Sequence, residues 1–270
     1  MNAVPSREEL REHLVLHRIA GEVDTPRASN VGNVHKMLAR DPDYWFGVDL
    51  DRRWTYEEVV AVVAQRAGID PDHARESGRD SIDPDLCLDA LDAAAERLAQ
   101  VAAAGDPVLL ATGHPTGLLE VYMTVAAALA AAGCAVLTPA AESWVSIQGT
   151  QRRIRYVGGV ATVGTGGDLL HTHAPEPMHR MLAALAGDRP ALVIADHGWA
   201  GAAGQAGLAT VGFADTNDPA LFVAAALGKV DVVVPLDDNV APAAYSPLTA
   251  YLLRRLTLFT PTSAGVGRTE

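Results

Sequence analysis

Four short apolar runs, each ending in a cluster of polar residues, constrain this chain more than any other feature. PVLLAT leads into Gly113-His114-Pro115-Thr116-Gly117. ALVIA leads into Asp196-His197-Gly198, VGFA into Asp215-Thr216-Asn217-Asp218, and VVVPL into Asp237-Asp238-Asn239. Runs of four to six apolar residues bounded by turn signals read as buried strands, and helical periodicity returns between them. Alternating strands and helices require a parallel sheet covered on both faces. The fold class is therefore α/β: a three-layer, mostly parallel, Rossmann-like sheet with a helical region at the N-terminus. Hydrophobic residues make up 49% of the 270 and aromatics only 5%, a composition that lets helices lie close on a sheet.

Ser6 and Glu9 form a capping-box start for a helix to about Ala20. Thr55 caps a second helix, and Asp83 or Asp85 opens an amphipathic helix to about Ala104 that carries Leu86, Leu91, Leu98 and Val101 inward. Asp70 to Asp83 reads as an exposed loop. PVLLAT, the Ala/Leu-rich helix after it and CAVLTPA read as a βαβ unit, and IRYVGGVATVG reads as a hairpin meander. The chain divides into a helical N-terminal region or cap (1–105), an α/β core carrying the site (106–256) and a flexible tail (257–270), most simply as one integrated domain.

A net charge of −12 disfavours nucleic acid and anionic membranes as partners. The charged N-terminus has no apolar signal core, so a cytoplasmic location is expected. Cys87 and Cys134 lack metal-site spacing and read as reduced, buried thiols. A homodimer is compatible with the sequence.

In open α/β sheets, ligands bind beyond the carboxyl ends of the strands, so parallel strands would gather the four clusters at one edge. Gly113, Thr116 and Gly117, between a strand and a helix, offer an anion cradle or merely a tight turn. The glycine spacing fits neither a Walker loop nor a dinucleotide fingerprint. His114 and His197 are the acid/base candidates. His171 and His173, two residues apart, face the same side of an extended chain and could address one phosphate, or could be surface residues. Asp196 is a metal candidate or a helix cap. Asp215, Asp237 and Asp238 suit an oxygen-loving ion such as Mg²⁺ or Mn²⁺, with Asn217 beside them for substrate. One of Asp237 and Asp238 is expected to be structural, because adjacent side chains diverge. Asp218-Pro219 matches an N-cap followed by an N1 proline, which gives Asp218 a structural role. Arg27, Asn30, Asn33 and His35 read as a solvated loop with caps, or as a lid.

In order along the chain, GHPTGLLEVY, HTHAPEPM, ADHGWAGAAGQAG, GFADTNDPALFVA and VPLDDNV resemble a family of actinobacterial proteins catalogued as phosphatases. The resemblance is densest from His114 to Asn239. It implies hydrolysis of a phosphate ester. The DxDxT pattern of haloacid dehalogenase phosphatases and the RHG pattern of histidine phosphatases are absent, which leaves metal-assisted attack by water as the simplest route. The expected function is a metal-dependent phosphatase acting on a small phosphorylated metabolite. A sugar-phosphate isomerase or lyase, or a non-catalytic binding protein for a nucleotide or sugar phosphate, remains the alternative.

Overall fold

The computed structural model describes residues 4–185, 187 and 189–259. Helix α1 (Arg7–Leu16) starts on the Ser6–Glu9 capping box, and α3 (Tyr56–Ala67) on a second box formed by Thr55 and Glu58. Between them lie β1 (Gly21–Pro26) and α2 (Arg27–Leu38). The stretch read as an exposed loop contains a strand, β2 (Arg79–Ile82), which pairs antiparallel with β1. Its alternation is short but real: Asp80 and Ile82 are buried, while Arg79 and Ser81 are not. Asp83 then caps α4 (Pro84–Ala104) by accepting from the Asp85 and Leu86 amides.

The main sheet has seven strands: β3 (Val108–Ala111), β4 (Trp144–Ile147), β5 (Thr150–Val157), β6 (Val160–Gly164), β7 (Leu192–Asp196), β8 (Thr210–Ala214) and β9 (Val232–Pro235). Their spatial order is β4-β5-β6-β3-β7-β8-β9, with β6, β3, β7, β8 and β9 parallel and β4 and β5 antiparallel. Gly158 and Gly159, both at positive φ (56° and 86°), turn β5 back into β6, as a two-residue hairpin requires.

The expected strand at CAVLTPA is reduced to one parallel bridge, Val108 to Val136. The reason is competition for an edge: β6 pairs with β3 at Leu110 and Ala111, leaving only the start of β3 to Ala135 and Leu137.

Helices cover both faces. Val108 and Leu110 of β3 join a core with Leu10, Leu91, Val121 and Leu248, from α1, α4, α5 (Pro115–Ala131) and α9 (Ser246–Leu252). Leu109 and Ala111 join the opposite core with Val63, Met178, Trp199 and Phe222, from α3, α6 (Glu176–Ala184), α7 (His197–Gln205) and α8 (Pro219–Ala226). A strand buried on both sides explains the unbroken apolar runs. The helices of the first hundred residues are divided between these two layers. No helix among the described residues is long and apolar enough to cross a membrane. Residues 257–259, the start of the expected tail, close a 3₁₀ segment (Leu253–Phe259); the rest of that tail lies outside the described residues.

Candidate active site

The five parallel strands end at one edge, and their following loops meet there. β3 delivers Thr112 to His114, β7 delivers Asp196 and His197, β8 delivers Asp215 to Asp218, and β9 delivers Asp237 and Asp238. The loop after β6 brings His171 and His173 to the same place. His114 Nδ1 lies 3.1 Å from Asp238 Oδ2, and His197 Nε2 lies 3.3 Å from the same oxygen and 3.4 Å from Asp218 Oδ2. The His171 ring stacks on His114 with centroids 4.2 Å apart, and the His173 ring stands 4.3 Å from that of His197.

Three glycines let these loops approach. A Cβ on Gly113 would lie 2.2 Å from the Thr172 carbonyl, one on Gly117 2.1 Å from the Asp238 carbonyl, and one on Gly198 2.1 Å from the His173 carbonyl. Glycine is needed at each because backbone occupies the side-chain position. His197 itself holds φ at 44°, an uncommon left-handed conformation for a residue with a Cβ.

His114, Asp196 and Asp218 occupy the N-cap positions of α5, α7 and α8, yet none makes a side-chain cap hydrogen bond. Their side chains turn to one another instead of to their own helices. This corrects the structural reading of Asp218: both its oxygens are buried without a hydrogen-bond partner, and one faces His197. Asp196 is not a cap either. Its Oδ2 accepts from Thr112 Oγ1 at 2.5 Å and its Oδ1 from the Gly113 amide at 2.7 Å, while His197 Nδ1 stands 3.5 Å away. With both oxygens engaged, Asp196 fastens the β3 loop to β7, and its charge faces His197 Nδ1 without a hydrogen bond. It belongs to none of the metal-competent groups found among the described residues.

Those groups are three. His114, His171 and His197 form one; His173, His197 and Asp218 a second; Asp215, Asp237 and Asp238 a third. Within each, one ligand atom per residue lies within 4.8 Å of the others. The first two share His197. In the third, Asp215 Oδ2 accepts from Thr25 Oγ1 and Oδ1 from the Thr216 amide, and Asp237 accepts from the Asp24 and Asn239 amides.

Three of the amides at GHPTG, the expected phosphate cradle, are engaged within the protein, and that of Thr116 has no hydrogen bond among the described residues. Gly113 N–H goes to Asp196, His114 N–H to Thr112 Oγ1, and Gly117 N–H to the His114 carbonyl. Thr116 is exposed and Asn217 half-buried. His173 Nδ1 donates to the Asp43 carbonyl at 3.0 Å, since a carbonyl can only accept; this fixes the tautomer and leaves Nε2 without that proton. The residues expected in a solvated loop are mostly buried in α2. Arg27 binds the Asp80 carboxylate at 2.9 Å, Asn30 bridges Asp80 and Thr216, and Asn33 reaches the Asn217 carbonyl. His35 stays outside, stacked on Tyr56.

Burial alone would lower His114 and His197. The carboxylates around them reverse this: Asp238 raises His114, and Asp218, Asp238 and Asp196 raise His197 well above its ordinary value. Burial and the neighbouring imidazoles push His171 down to about 4 and lower His173. Burial, then Asp238 and Asp237, raises Asp215 well above the carboxylate range. Burial would raise Asp238 too, but His114 and His197 hold it low.

Residues 5–260 match the model of a family described as Phosphatase. Phosphatase SCO2771 of Streptomyces coelicolor is 46% identical over 254 residues, which cover 92% of this chain and 95% of that protein. A match over nearly the whole length, through every loop that builds the site, places the chain in the Phosphatase family of phosphate-ester hydrolases.

Proposed function

We propose that the chain is a metal-dependent phosphatase that hydrolyses a small phosphorylated metabolite, with the ions held by His114, His171, His173, His197, Asp218 and Asp238. The observation that carries this reading is a set of buried donors that approach without bonding. Among the described residues, His114 Nδ1, Asp238 Oδ2 and both Asp218 oxygens have no hydrogen-bond partner, although the separations are 3.1 to 3.4 Å. Leaving buried charged groups without hydrogen bonds is costly. Two donors on a common ion at about 2.1 Å stand about 3.0 to 3.4 Å apart in octahedral or tetrahedral coordination, which matches these contacts.

The donor set revises the expected ion. Four imidazoles favour Zn²⁺ or Mn²⁺ over Mg²⁺, which prefers oxygen. Asp215 and Asp237, whose oxygens already accept hydrogen bonds, act with Asp238 as a weaker oxygen site. Bound there, divalent ions supply Lewis acidity toward a phosphoryl oxygen and ease deprotonation of water. The Asp196 charge stands 3.5 Å from His197 Nδ1, the Asp43 carbonyl holds His173, and Thr112 ties the His114 amide to Asp196. His171, kept neutral above about pH 4, is a proton-free ligand at neutral pH. A cytoplasmic location suits a metabolite substrate.

The test is phosphate release from a panel of phosphorylated metabolites, after chelation and after add-back of Zn²⁺, Mn²⁺ or Mg²⁺ singly. Activity lost on chelation and restored by one ion is expected. Undiminished release from the stripped protein would remove the metal from the reaction.

A further inference from the structure

Beside the histidines lies a cleft of about 350 Å³, bordered by Tyr44, Gln148, Arg152, Leu170, His171 and His173. Its size suits a small molecule. Arg152 is the unusual residue. It pairs with Val145 across the β4–β5 ladder, and Thr150 pairs with Ile147. Side chains alternate across a strand, so Arg152 projects on the same face as Ile154, Val145 and Ile147, all members of the apolar core beneath.

A half-buried guanidinium on an apolar face needs a counter-ion, and among the described residues Arg152 has none. The other β5 arginines are provided for. Arg153 pairs with Glu142, and Arg155 donates to the Gly166 carbonyl. Asp43, which also borders the cleft, accepts from Gln148 and makes no ion pair with Arg152.

We infer that Arg152 selects the substrate, receiving a second anionic group, a carboxylate or second phosphate, on the part of the molecule that leaves when the ester is cleaved. The substrate class is then a phosphate monoester of an already anionic small metabolite. This rests on the phosphatase reading: the scissile phosphate lies toward the His171 and His173 end of the cleft, and the second charge toward Arg152. Guanidinium suits the role because its planar fork binds either oxyanion bidentately.

Binding tests this without turnover. Calorimetry with Mn²⁺ supplied compares benzylphosphonate, 4-carboxybenzylphosphonate and p-xylylenebisphosphonate on the unaltered protein, Arg152→Gln and Arg152→Lys. The unaltered protein is expected to bind the two doubly anionic ligands about ten- to a hundredfold more tightly than benzylphosphonate, the worth of a charge-assisted bidentate contact. Arg152→Gln should shrink that ratio to within about twofold, and Arg152→Lys should keep part of it. Equal affinities for all three ligands in the unaltered protein, or a preference that survives in Arg152→Gln, would overturn the assignment. Phosphate release from the matching esters is scored separately. A binding preference without release keeps Arg152 and sinks the hydrolytic reading.

Discussion

Asp218→Asn separates a metal ligand from a helix cap. Asparagine caps a helix about as well as aspartate, so a capping Asp218 would tolerate the change. In the structure Asp218 makes no cap bond, and its two oxygens are buried, one of them facing His197. An ion supplied at about a hundred times its dissociation constant stabilises the folded chain by about 2.7 kcal/mol. The unfolding entropy of a chain of 270 residues is about 0.6 kcal/mol per kelvin, so that stabilisation raises Tm by about 5 °C. Losing a carboxylate ligand, taken as about a hundredfold in affinity, leaves about 0.4 kcal/mol at the same ion concentration, under about 1 °C. The assay is thermal melting of stripped and ion-supplied protein, both variants side by side. An Asp218→Asn protein with the full ion-induced rise would refute the ligand assignment.

Gly198→Ala would set a Cβ 2.1 Å from the His173 carbonyl. Relieving the clash moves the loop by about 1 Å, enough to lower kcat/KM by about a hundredfold and stability by about 1–3 kcal/mol; activity within threefold of the unaltered protein would show that the loop position does not matter. Gly32→Ala is the control, since nothing lies within 4 Å of its Cβ, and a gain of up to about 1 kcal/mol in urea unfolding is expected for a helical glycine replaced. Burial would lower His114 and His197, but the carboxylates around them raise both above the ordinary imidazole value, which favours the protonated form that an incoming ion must displace. Ion affinity should rise with pH through neutrality, by up to about tenfold per unit for each proton released; calorimetry in buffers of different ionisation enthalpy counts those protons, and a count of zero contradicts the ligand set. Asp168 caps the turn after β6, and the Gly166 and Thr165 amides hold its carboxyl down at about 2 against an ordinary 3.8. Its contribution is full above about pH 4 and lost as pH falls through about 2, so NMR titration of Asp168 with a midpoint near 4 would show that the turn is not so held.

The convergence of the four strand-end clusters is legible in the sequence because a strand and the loop after it are contiguous. Apolar runs such as ALVIA announce their own ends, and parallel pairing supplies the rest. Legibility fails where a local pattern has a good local explanation. Asp218-Pro219 carries every mark of a helix start, and only the position of His197, delivered by the neighbouring strand, shows the carboxylate turned elsewhere. Asp196 is the converse case: it reads as a ligand or a cap, and only the loop after another strand shows that Thr112 and Gly113 each give one of its oxygens a hydrogen bond. Arg152 gives no sequence signal, since its face depends on the register set by the Gln148–Gly149 turn. Strand β2 is lost among charged residues because its pairing with β1 joins positions about sixty residues apart.

The N-terminal segment explains why the third carboxylate group tolerates its own repulsion. Asp215, Asp237 and Asp238 are all buried, and three such charges cannot stand together without donors. β1 supplies the Thr25 hydroxyl and the Asp24 amide. Helix α2 supports them from behind: Arg27 holds Asp80, and Asn30 ties Asp80 to Thr216, whose amide donates to Asp215. Burial, with Asp238 and Asp237 beside it, still raises Asp215 well above the carboxylate range, so these donors do not fully compensate the charge, and a proton on Asp215 relieves the remainder. A divalent ion would do the same work with more charge, and the hydrogen bonds already in place would keep the carboxylates together for it. Strand β1 and helix α2 are thereby part of the site's electrostatics, binding the buried charge to the fold before any ligand arrives.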